Sequence, residues 1–176
     1  MGEAHKVPLV KPIIGLLGKT KEDLKRTEEK LVTFFGEIIK KSQVFLFSHT
    51  NYYTKEMGSD LLREFLVFEN LKKPEEVVNW KLLTNELEAE LGGSKKNKRR
   101  VNIDPGYLAP GKLVLASTKD HEHRVYLSQG IYAEITLRIR KGKFKTWSWT
   151  YLDYAENIAF FNQAYADYIN ELAKSK

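Results

Sequence analysis

The 176-residue sequence contains no cysteine, and this absence excludes several classes of protein. Without thiols the chain cannot be a disulfide-stapled domain, and it cannot bind zinc or an iron–sulfur cluster through thiolates. No apolar run reaches the roughly 18 residues that a membrane-spanning helix needs. The first ten residues, MGEAHKVPLV, lack the apolar centre of a secretory signal. We therefore expect a cytoplasmic protein with no membrane segment.

The residues that are present are typical of a globular protein with a packed core. Hydrophobic residues make up 42% of the chain and charged residues 30%. Lysine and arginine number 29 against 23 acidic residues, and the resulting net charge of +6 favours an anionic partner. The length predicts a single domain over residues 1–176.

The first half of the chain predicts a ferredoxin-like βαββαβ unit. Its predicted elements are a strand at 9–17, a helix at 20–36, strands at 38–47 and 61–69, a helix from Pro74 and a strand at 99–104. Thr20 and Asp23 have the spacing of a capping box, and Gly36 is a natural end for the first helix. The charged segment 93–100 is predicted to be a surface loop.

The second half predicts an antiparallel hairpin region and a closing helix. Strands are expected around 124–128, 131–139 and 143–148, and an amphipathic helix begins at Asp153. Together the two halves predict one α+β domain: a ferredoxin-like start, then β-hairpins, then a C-terminal helix.

The alternation of residues sets the pairing of the hairpins. A three-residue loop at 128–130 would pair Val125 with Ala133 and Tyr126 with Tyr132. With a second turn at Lys141-Gly142, one sheet face would carry Arg124, Tyr126, Tyr132, Glu134, Arg138, Arg140, Lys143, Lys145 and Trp147. Basic side chains that alternate with aromatic ones are suited to RNA binding, but the same pattern fits a solvated face with cross-strand pairs.

The segment GLLGKT at 15–20 looks like the end of a phosphate-binding P-loop. The pattern requires glycine at the position of Ile13, so the usual cradle of backbone amides cannot form. We interpret Thr20 as an ordinary helix cap.

Asp104 is the first candidate for a functional side chain. It follows a short β-forming run and precedes Pro105-Gly106, which predicts a turn that presents the carboxylate at the end of a strand. With Glu134 or Asp120 it could bind Mg²⁺, since hard cations prefer carboxylate oxygens. Equally, the acid could cap its own turn.

Polar residues are also concentrated in STKDHEHR at 117–124. Asp120 could be a metal ligand, and His123 could act as a general acid or base. A solvated turn is the alternative interpretation. A second polar stretch, SHTNYYTKEMG at 48–58, is either functional or merely long.

Several blocks of the sequence resemble one family throughout the chain. They are KPIIGLL, NYYTKEMG, KLLTNELE, RRVNIDPGYL, KLVLASTKDHEHRVYL, GIYAEITL and WTYLDY. They are similar to the signature blocks of the prokaryotic family catalogued as domain of unknown function 4416. The resemblance implies a single-domain cytoplasmic protein of bacteria or archaea, and it supplies no catalytic residue.

These observations lead to three functional hypotheses. The first is binding of a phosphate-bearing ligand, a nucleotide or RNA, with Mg²⁺ as a candidate cofactor; whether a reaction follows is left open. Its proposed residues are Asp104, His123 and Glu134 for chemistry, Tyr107, Lys112, Lys119, Arg124 and Tyr132 for the ligand, and Asp104, Asp120 and Glu134 for the metal. The others are a non-catalytic RNA-binding module that uses the basic sheet face, and a protein-interaction scaffold.

Overall fold

The computed structural model of the protein describes residues 2–50, 52–92 and 99–174. The strands are β1 (Lys11–Gly18), β2 (Ile38–Lys41), β3 (Phe45–Phe47), β4 (Leu61–Phe68), β5 (Val101–Ala109), β6 (Lys112–Ser117), β7 (Val125–Ser128), β8 (Ile131–Arg140) and β9 (Lys143–Thr146). The helices are α1 (Lys21–Phe35), α2 (Thr54–Met57), α3 (Val77–Leu91, after a 3₁₀ turn at Pro74–Glu76), α4 (Leu152–Glu156) and α5 (Ile158–Lys174). Asn51 of the polar stretch and most of the predicted loop at 93–100 lie outside the described residues.

The strands form one antiparallel sheet in the order β2-β4-β1-β5-β6-β8-β7, with β3 added beside β4 and β9 beside β8. The order β2-β4-β1-β5 confirms the ferredoxin-like start. In such a unit the first strand lies between the third and the last, and here β1 lies between β4 and β5. The predicted strand at 38–47 is divided into β2 and β3. Ser42 lies at the break, where its hydroxyl accepts a hydrogen bond from the Phe65 N–H at 2.9 Å.

Helices cover both faces of this sheet. Residues of α1 and α3, including Phe35 and Trp80, pack on one face, and Phe161 and Tyr168 of α5 pack on the other. All eight residues of β1 are buried between the two helical layers, which explains its nearly continuous apolar sequence. Within the described ranges, no helix is both long and apolar enough to cross a bilayer.

The predicted turn at Pro105-Gly106 is wrong, because β5 runs straight through it. Asp104 lies opposite Gly15 of β1, and Pro105 lies opposite Ile14. A proline is tolerated here because β6 pairs with β5 only from Gly106 onwards, so residues 101–105 have a strand on one side only.

The register of the β7–β8 hairpin is as predicted, but its loop is shorter. Val125 pairs with Ala133 and Tyr126 with Tyr132, as the alternation indicates. The loop consists of two residues, Gln129 and Gly130, which both have positive φ as a tight hairpin turn requires. A one-residue shift in pairing between Tyr126 and Ser128 offsets the shorter loop, so the predicted pairs still form.

The predicted basic face of the hairpin region is divided between two sides of the sheet. The pairs Arg138–Lys145 and Arg140–Lys143 form as expected. The pairing of β6 with β8, however, skips Thr136. Such a bulge moves every later side chain to the opposite face. Glu134 therefore faces the α5 layer, whereas Arg138 faces away from it.

Candidate functional site

A cleft of about 500 Å³ opens where β5 and β6 diverge. The two strands pair with each other only from Gly106–Leu115 to Ala109–Lys112. Among the described residues, the part of β5 before Gly106 pairs only with β1, and the part of β6 after Leu115 pairs only with β8, so the strands separate there. The volume lies in the range of about 300–1,000 Å³ that is usual for small-molecule sites. The charged side chains of its lining are Arg63, Lys81, Arg99, Lys119, Arg124, Glu88, Asp104, Glu134 and Asp153.

The cleft floor consists of Arg63, Asp104, Asp153 and Tyr154. The guanidinium of Arg63, on β4, lies between the two carboxylates: its Nη1 is 3.2 Å from Asp104 Oδ2 and its Nε is 2.9 Å from Asp153 Oδ2. Gly15 of β1 lies beneath this group, where a Cβ atom would be 2.6 Å from the Tyr154 hydroxyl and 2.8 Å from Arg63 Nη2. The absence of a side chain at Gly15 thus allows the floor to pack against the sheet.

Asp104 is held in its ionised form. Burial by itself raises its pKa, but the charges of Arg63 and Lys81 and a hydrogen bond from Asn102 outweigh it and lower the pKa below its usual value. The Asn102 amide donates to Asp104 Oδ2 at 2.7 Å, the same oxygen that faces Arg63. The carboxylate is therefore an acceptor whose Oδ2 is already engaged.

A second buried ion pair joins Arg124 and Glu134. The Arg124 Nε donates to Glu134 Oε2 at 2.8 Å, and its Nη1 donates to the Ser117 hydroxyl and to the Lys119 carbonyl, each at 2.9 Å. Its Nη2 donates to the Tyr151 hydroxyl at 2.7 Å. Arg124 therefore fixes the chain segment that carries Lys119, and few of its N–H groups are left for a ligand.

Helix α3 contributes one wall of the cleft through Lys81 and Glu88. Both bind the backbone of Ile103 in β5: the Lys81 ammonium donates to its carbonyl at 2.9 Å, and Glu88 accepts from its N–H at 2.6 Å. Arg99 lies 3.4 Å from Glu88 and donates to Asn102. These contacts tie α3 to the part of β5 that lacks β6 as a neighbour.

Among the exposed residues of the lining, Tyr52, Lys119 and His121 form what we call the cleft mouth. The Lys119 ammonium is 3.7 Å from the centre of the Tyr52 ring. Tyr53 packs edge-on against Tyr52, with 5.0 Å between ring centres, and Arg99 lies 5.7 Å from the Tyr53 ring. The polar stretch at 48–58 thus supplies the aromatic side of the mouth.

His123, predicted as a general acid or base, lies beside the cleft rather than in its lining. Its ring is parallel to those of His121 and Trp149, with centres 5.8 and 5.3 Å away. Its Nε2 is 3.5 Å from Glu134 Oε2. His123 therefore contacts the buried Arg124–Glu134 pair from the side.

Four of the predicted site residues, Asp104, Lys119, Arg124 and Glu134, line the cleft. Tyr107 does not, because it lies three residues after Asp104 on the same strand and so on the opposite face. There its ring packs edge-on against Trp80 at 6.4 Å.

The other predicted ligand residues also lie outside the lining. Lys112 is exposed at the start of β6, opposite Ala109. Tyr132 packs against Tyr126, with 5.4 Å between ring centres. Partial burial and the neighbouring Asp120 carboxylate raise the pKa of the Tyr132 phenol. Asp120 is thus placed beside Tyr132 and not among the cleft carboxylates.

The three residues predicted as metal ligands do not converge. Asp104 and Glu134 share the cleft, but each faces an arginine, and Asp120 lies apart from both. In the described part of the chain, no three histidine, aspartate or glutamate side chains are grouped so that they could hold a metal ion.

Comparison with protein-family models assigns the chain to a family. The model described as Domain of unknown function (DUF4416) matches residues 8–168. The chain belongs to DUF4416. The segment matched by the DUF4416 model contains every residue of the cleft lining, from Leu17 to Tyr154. Neither the curated proteins nor the solved structures contain a match to this chain.

The sequence did not lead us to predict several residues of this DUF4416 cleft. Arg63 gave the clearest signal, since it and Glu64 are the two charged residues in the strand LLREFLVF, whose other residues are all apolar. Lys81 and Glu88 lie seven residues apart among the buried positions of α3, where charges are rare unless they are paired. Tyr154 carried no such signal, because its ring resembles any other aromatic residue of the core.

Proposed function

We propose that the cleft binds a small phosphate-bearing ligand such as a nucleotide. The observation that carries this proposal is Lys119 at the cleft mouth. In the described ranges its ammonium pairs with no carboxylate and instead lies over the Tyr52 ring. A cation beside an aromatic face offers a phosphate a charge-assisted hydrogen bond and offers a planar group a stacking surface.

The residues around Lys119 are arranged to support this role. Arg124 binds the Lys119 carbonyl and thereby positions the lysine, while its own charge is compensated by Glu134. We therefore assign the phosphate to Lys119 and treat Arg124 as a positioning residue. Tyr52 and Tyr53 replace Tyr107 and Tyr132 as the tyrosines proposed to contact the ligand.

Phosphate binding by Lys119 requires no metal site made of protein carboxylates alone. The carboxylates of the cleft do not converge, and Mg²⁺ is commonly bound through one or two carboxylates together with substrate phosphates. A cation would thus enter with the ligand. In line with the family resemblance, we place this activity in the cytoplasm of a prokaryotic cell.

A thermal-shift panel tests the proposal. The protein would be melted with pyrophosphate, with purine and pyrimidine nucleotides and with a short single-stranded RNA, each with and without Mg²⁺. A ligand at 100 times its Kd stabilises the folded state by about 2.7 kcal/mol. We expect a shift with nucleotides. No shift with any of these ligands would contradict the proposal and favour the protein-interaction scaffold.

Matched lysine variants localise the binding. Lys119→Ala should weaken nucleotide binding by about ten- to a hundredfold, because a hydrogen bond to a charged group contributes about 1.5–3 kcal/mol. Lys112→Ala removes the same charge outside the cleft and should leave the affinity unchanged. Equal losses in both variants would indicate a general charge effect instead of a site.

The RNA-binding alternative is distinguished by a charge reversal elsewhere. Arg138 and Lys145 are paired across β8 and β9, on the side of the sheet that faces away from α5. Replacing both with glutamate should abolish binding of RNA to the basic residues and leave a cleft ligand unaffected. RNA affinity of that kind should also fall steeply with salt.

A further inference from the structure

The cleft floor contains a buried hydroxyl group without a partner. The Tyr154 side chain is 1% exposed, and its hydroxyl has no hydrogen-bond partner in the part of the chain that the structure describes. The ring is fixed by a parallel contact with Phe161 at 5.2 Å and by Phe65 at 4.7 Å. Burial raises the pKa of this phenol well above 10, so the hydroxyl stays protonated and can donate a hydrogen bond.

An acceptor lies close to this donor. Asp104 is opposite Gly15, the same residue over which the Tyr154 hydroxyl lies. Its Oδ2 receives hydrogen bonds from Arg63 and Asn102, and no described residue donates to its Oδ1. The side chain is 27% exposed, and the residue is part of the cleft lining. The floor thus contains a donor and an ionised acceptor whose hydrogen-bonding capacity the described residues leave unused.

The charge of the cleft floor determines which end of a ligand enters it. The Arg63 guanidinium is shared between the carboxylates of Asp104 and Asp153, so the floor carries one positive and two negative charges. A phosphate there would lie beside an ionised carboxylate and would be repelled. The phosphate therefore belongs at the cleft mouth with Lys119, and an uncharged part of the ligand reaches the floor.

We propose that the Tyr154 hydroxyl and the Asp104 carboxylate recognise a cyclic amide edge of the ligand, in which a ring N–H adjoins a carbonyl. The hydroxyl donates to the carbonyl oxygen, and Asp104 Oδ1 accepts the hydrogen bond of the ring N–H. This inference rests on the proposed phosphate site and specifies the rest of its ligand. Hypoxanthine, guanine and uracil have such an edge, whereas adenine and cytosine have a ring nitrogen acceptor beside an amino donor.

Pairs of nucleotides that differ only in this edge test the proposal. Calorimetry would compare inosine with adenosine 5′-monophosphate, and uridine with cytidine 5′-monophosphate, on the full chain. We expect the amide-bearing member of each pair to bind at least about tenfold more tightly, because, in the orientation fixed by the phosphate at Lys119, the other member opposes donor to donor and acceptor to acceptor. Tyr154→Phe should reduce this preference, and Asp104→Asn should do so as well.

Tyr154→Phe is a useful variant because it breaks no hydrogen bond within the described protein. Its melting temperature without ligand should equal or exceed that of the wild type, since a buried hydroxyl without a partner is destabilising. Tyr168→Phe is the matched control: its buried hydroxyl lies outside the cleft lining and donates to the Leu9 carbonyl at 2.7 Å, so the variant should lower the melting temperature and leave the preference between bases unchanged.

The possible results separate this inference from the proposed function. Nucleotide binding that depends on Lys119 but is equal within each pair would overturn the inference and leave the phosphate site standing. If Tyr154→Phe weakened all four nucleotides equally, the floor would bind the ribose that they share, which also overturns it. An absence of binding by nucleotides and by pyrophosphate would overturn both.

Discussion

Glu64 is an acidic residue whose position makes the stability of the protein depend on pH. It lies on β4 beneath α1, is 2% exposed, and has the Glu28 carboxyl group of α1 as a neighbour. Lys41 lies 2.6 Å from Glu28. Burial and the neighbouring Glu28 raise the pKa of Glu64 to about 7. Between the ordinary glutamate pKa and this raised value, the folded protein binds a proton that the unfolded chain has already released.

Stability should therefore decrease as the pH rises toward 7. A carboxyl group with a raised folded-state pKa stabilises the native state fully below its unfolded pKa, and this contribution is lost as the pH rises through the folded value. For Glu64 the window extends from the ordinary glutamate pKa of about 4.3 to about 7, which corresponds to on the order of 3 kcal/mol.

Glu64→Gln should remove this dependence. We expect the variant to be more stable than the wild type at pH 8, with a flatter profile of unfolding free energy between pH 5 and 8, measured by urea denaturation. Glu29→Gln, at an exposed position of α1, is the control and should retain the wild-type profile. Parallel profiles for Glu64→Gln and the wild type would show that Glu64 is ionised throughout.

At the scale of the elements, Gly106 is the point at which β5 and β6 meet before they diverge. A Cβ atom there would lie 2.2 Å from the Val114 carbonyl oxygen and 2.7 Å from Leu115 Cδ2. The sequence Asp-Pro-Gly therefore has a structural role that differs from a turn. The glycine permits the close approach of two strands whose separation beyond this point forms the cleft.

Gly106→Ala should destabilise the protein by about 1–3 kcal/mol or more, as overpacking of a rigid backbone contact does. Pro105→Ala is the comparison on the same strand, and it should have the smaller effect because an extended strand accepts alanine. Both are measured by urea denaturation. A larger loss for Pro105→Ala would mean that the fixed proline geometry, rather than the close approach, shapes this segment.

At the scale of the whole molecule, a single sheet joins all parts of the fold. The helical layers on its two faces have separate apolar clusters, but β1, β4 and β5 contribute to both. Elements that share their central strands should unfold together. If residues 1–176 form one domain, as the length predicts, the protein should unfold in a single cooperative transition.

Phe161→Ala tests this cooperativity. The side chain projects from α5, is fully buried, and contacts Phe65 and Tyr154. Its removal should reduce stability by about 3–5 kcal/mol. Far-ultraviolet circular dichroism and tryptophan fluorescence should shift together, with one transition.

The neighbouring Phe160 is only half-buried, so Phe160→Ala should produce a smaller loss. Two separated transitions in Phe161→Ala would show that the α5 layer unfolds independently of the rest.

The local features of this protein were determined by its sequence alone. Thr20 caps α1 and binds Asp23 as the spacing indicated, and Gly36 follows the end of the helix. The alternation of β7 and β8 set their register, and the order of elements predicted the sheet of the first half. In each of these cases the deciding interaction joins residues that are close along the chain, or follows from a periodicity. The sequence also singled out Asp104, Lys119, Arg124 and Glu134, which all line the cleft, although the turn on which the choice of Asp104 rested does not form.

Only the tertiary structure decided how these parts form a cleft. Arg63 and Asp104 are 41 residues apart, and their pairing depends on β1 lying between their strands. The bulge at Thr136, which turns Glu134 toward the cleft and Arg138 away from it, has no local signature in an alternating strand. Tyr154 can lie in the cleft floor because Gly15, on a strand near the other end of the chain, has no side chain. Such contacts arise from the packing of a sheet between two helical layers, and a periodic pattern specifies which faces are apolar but not which distant residues meet.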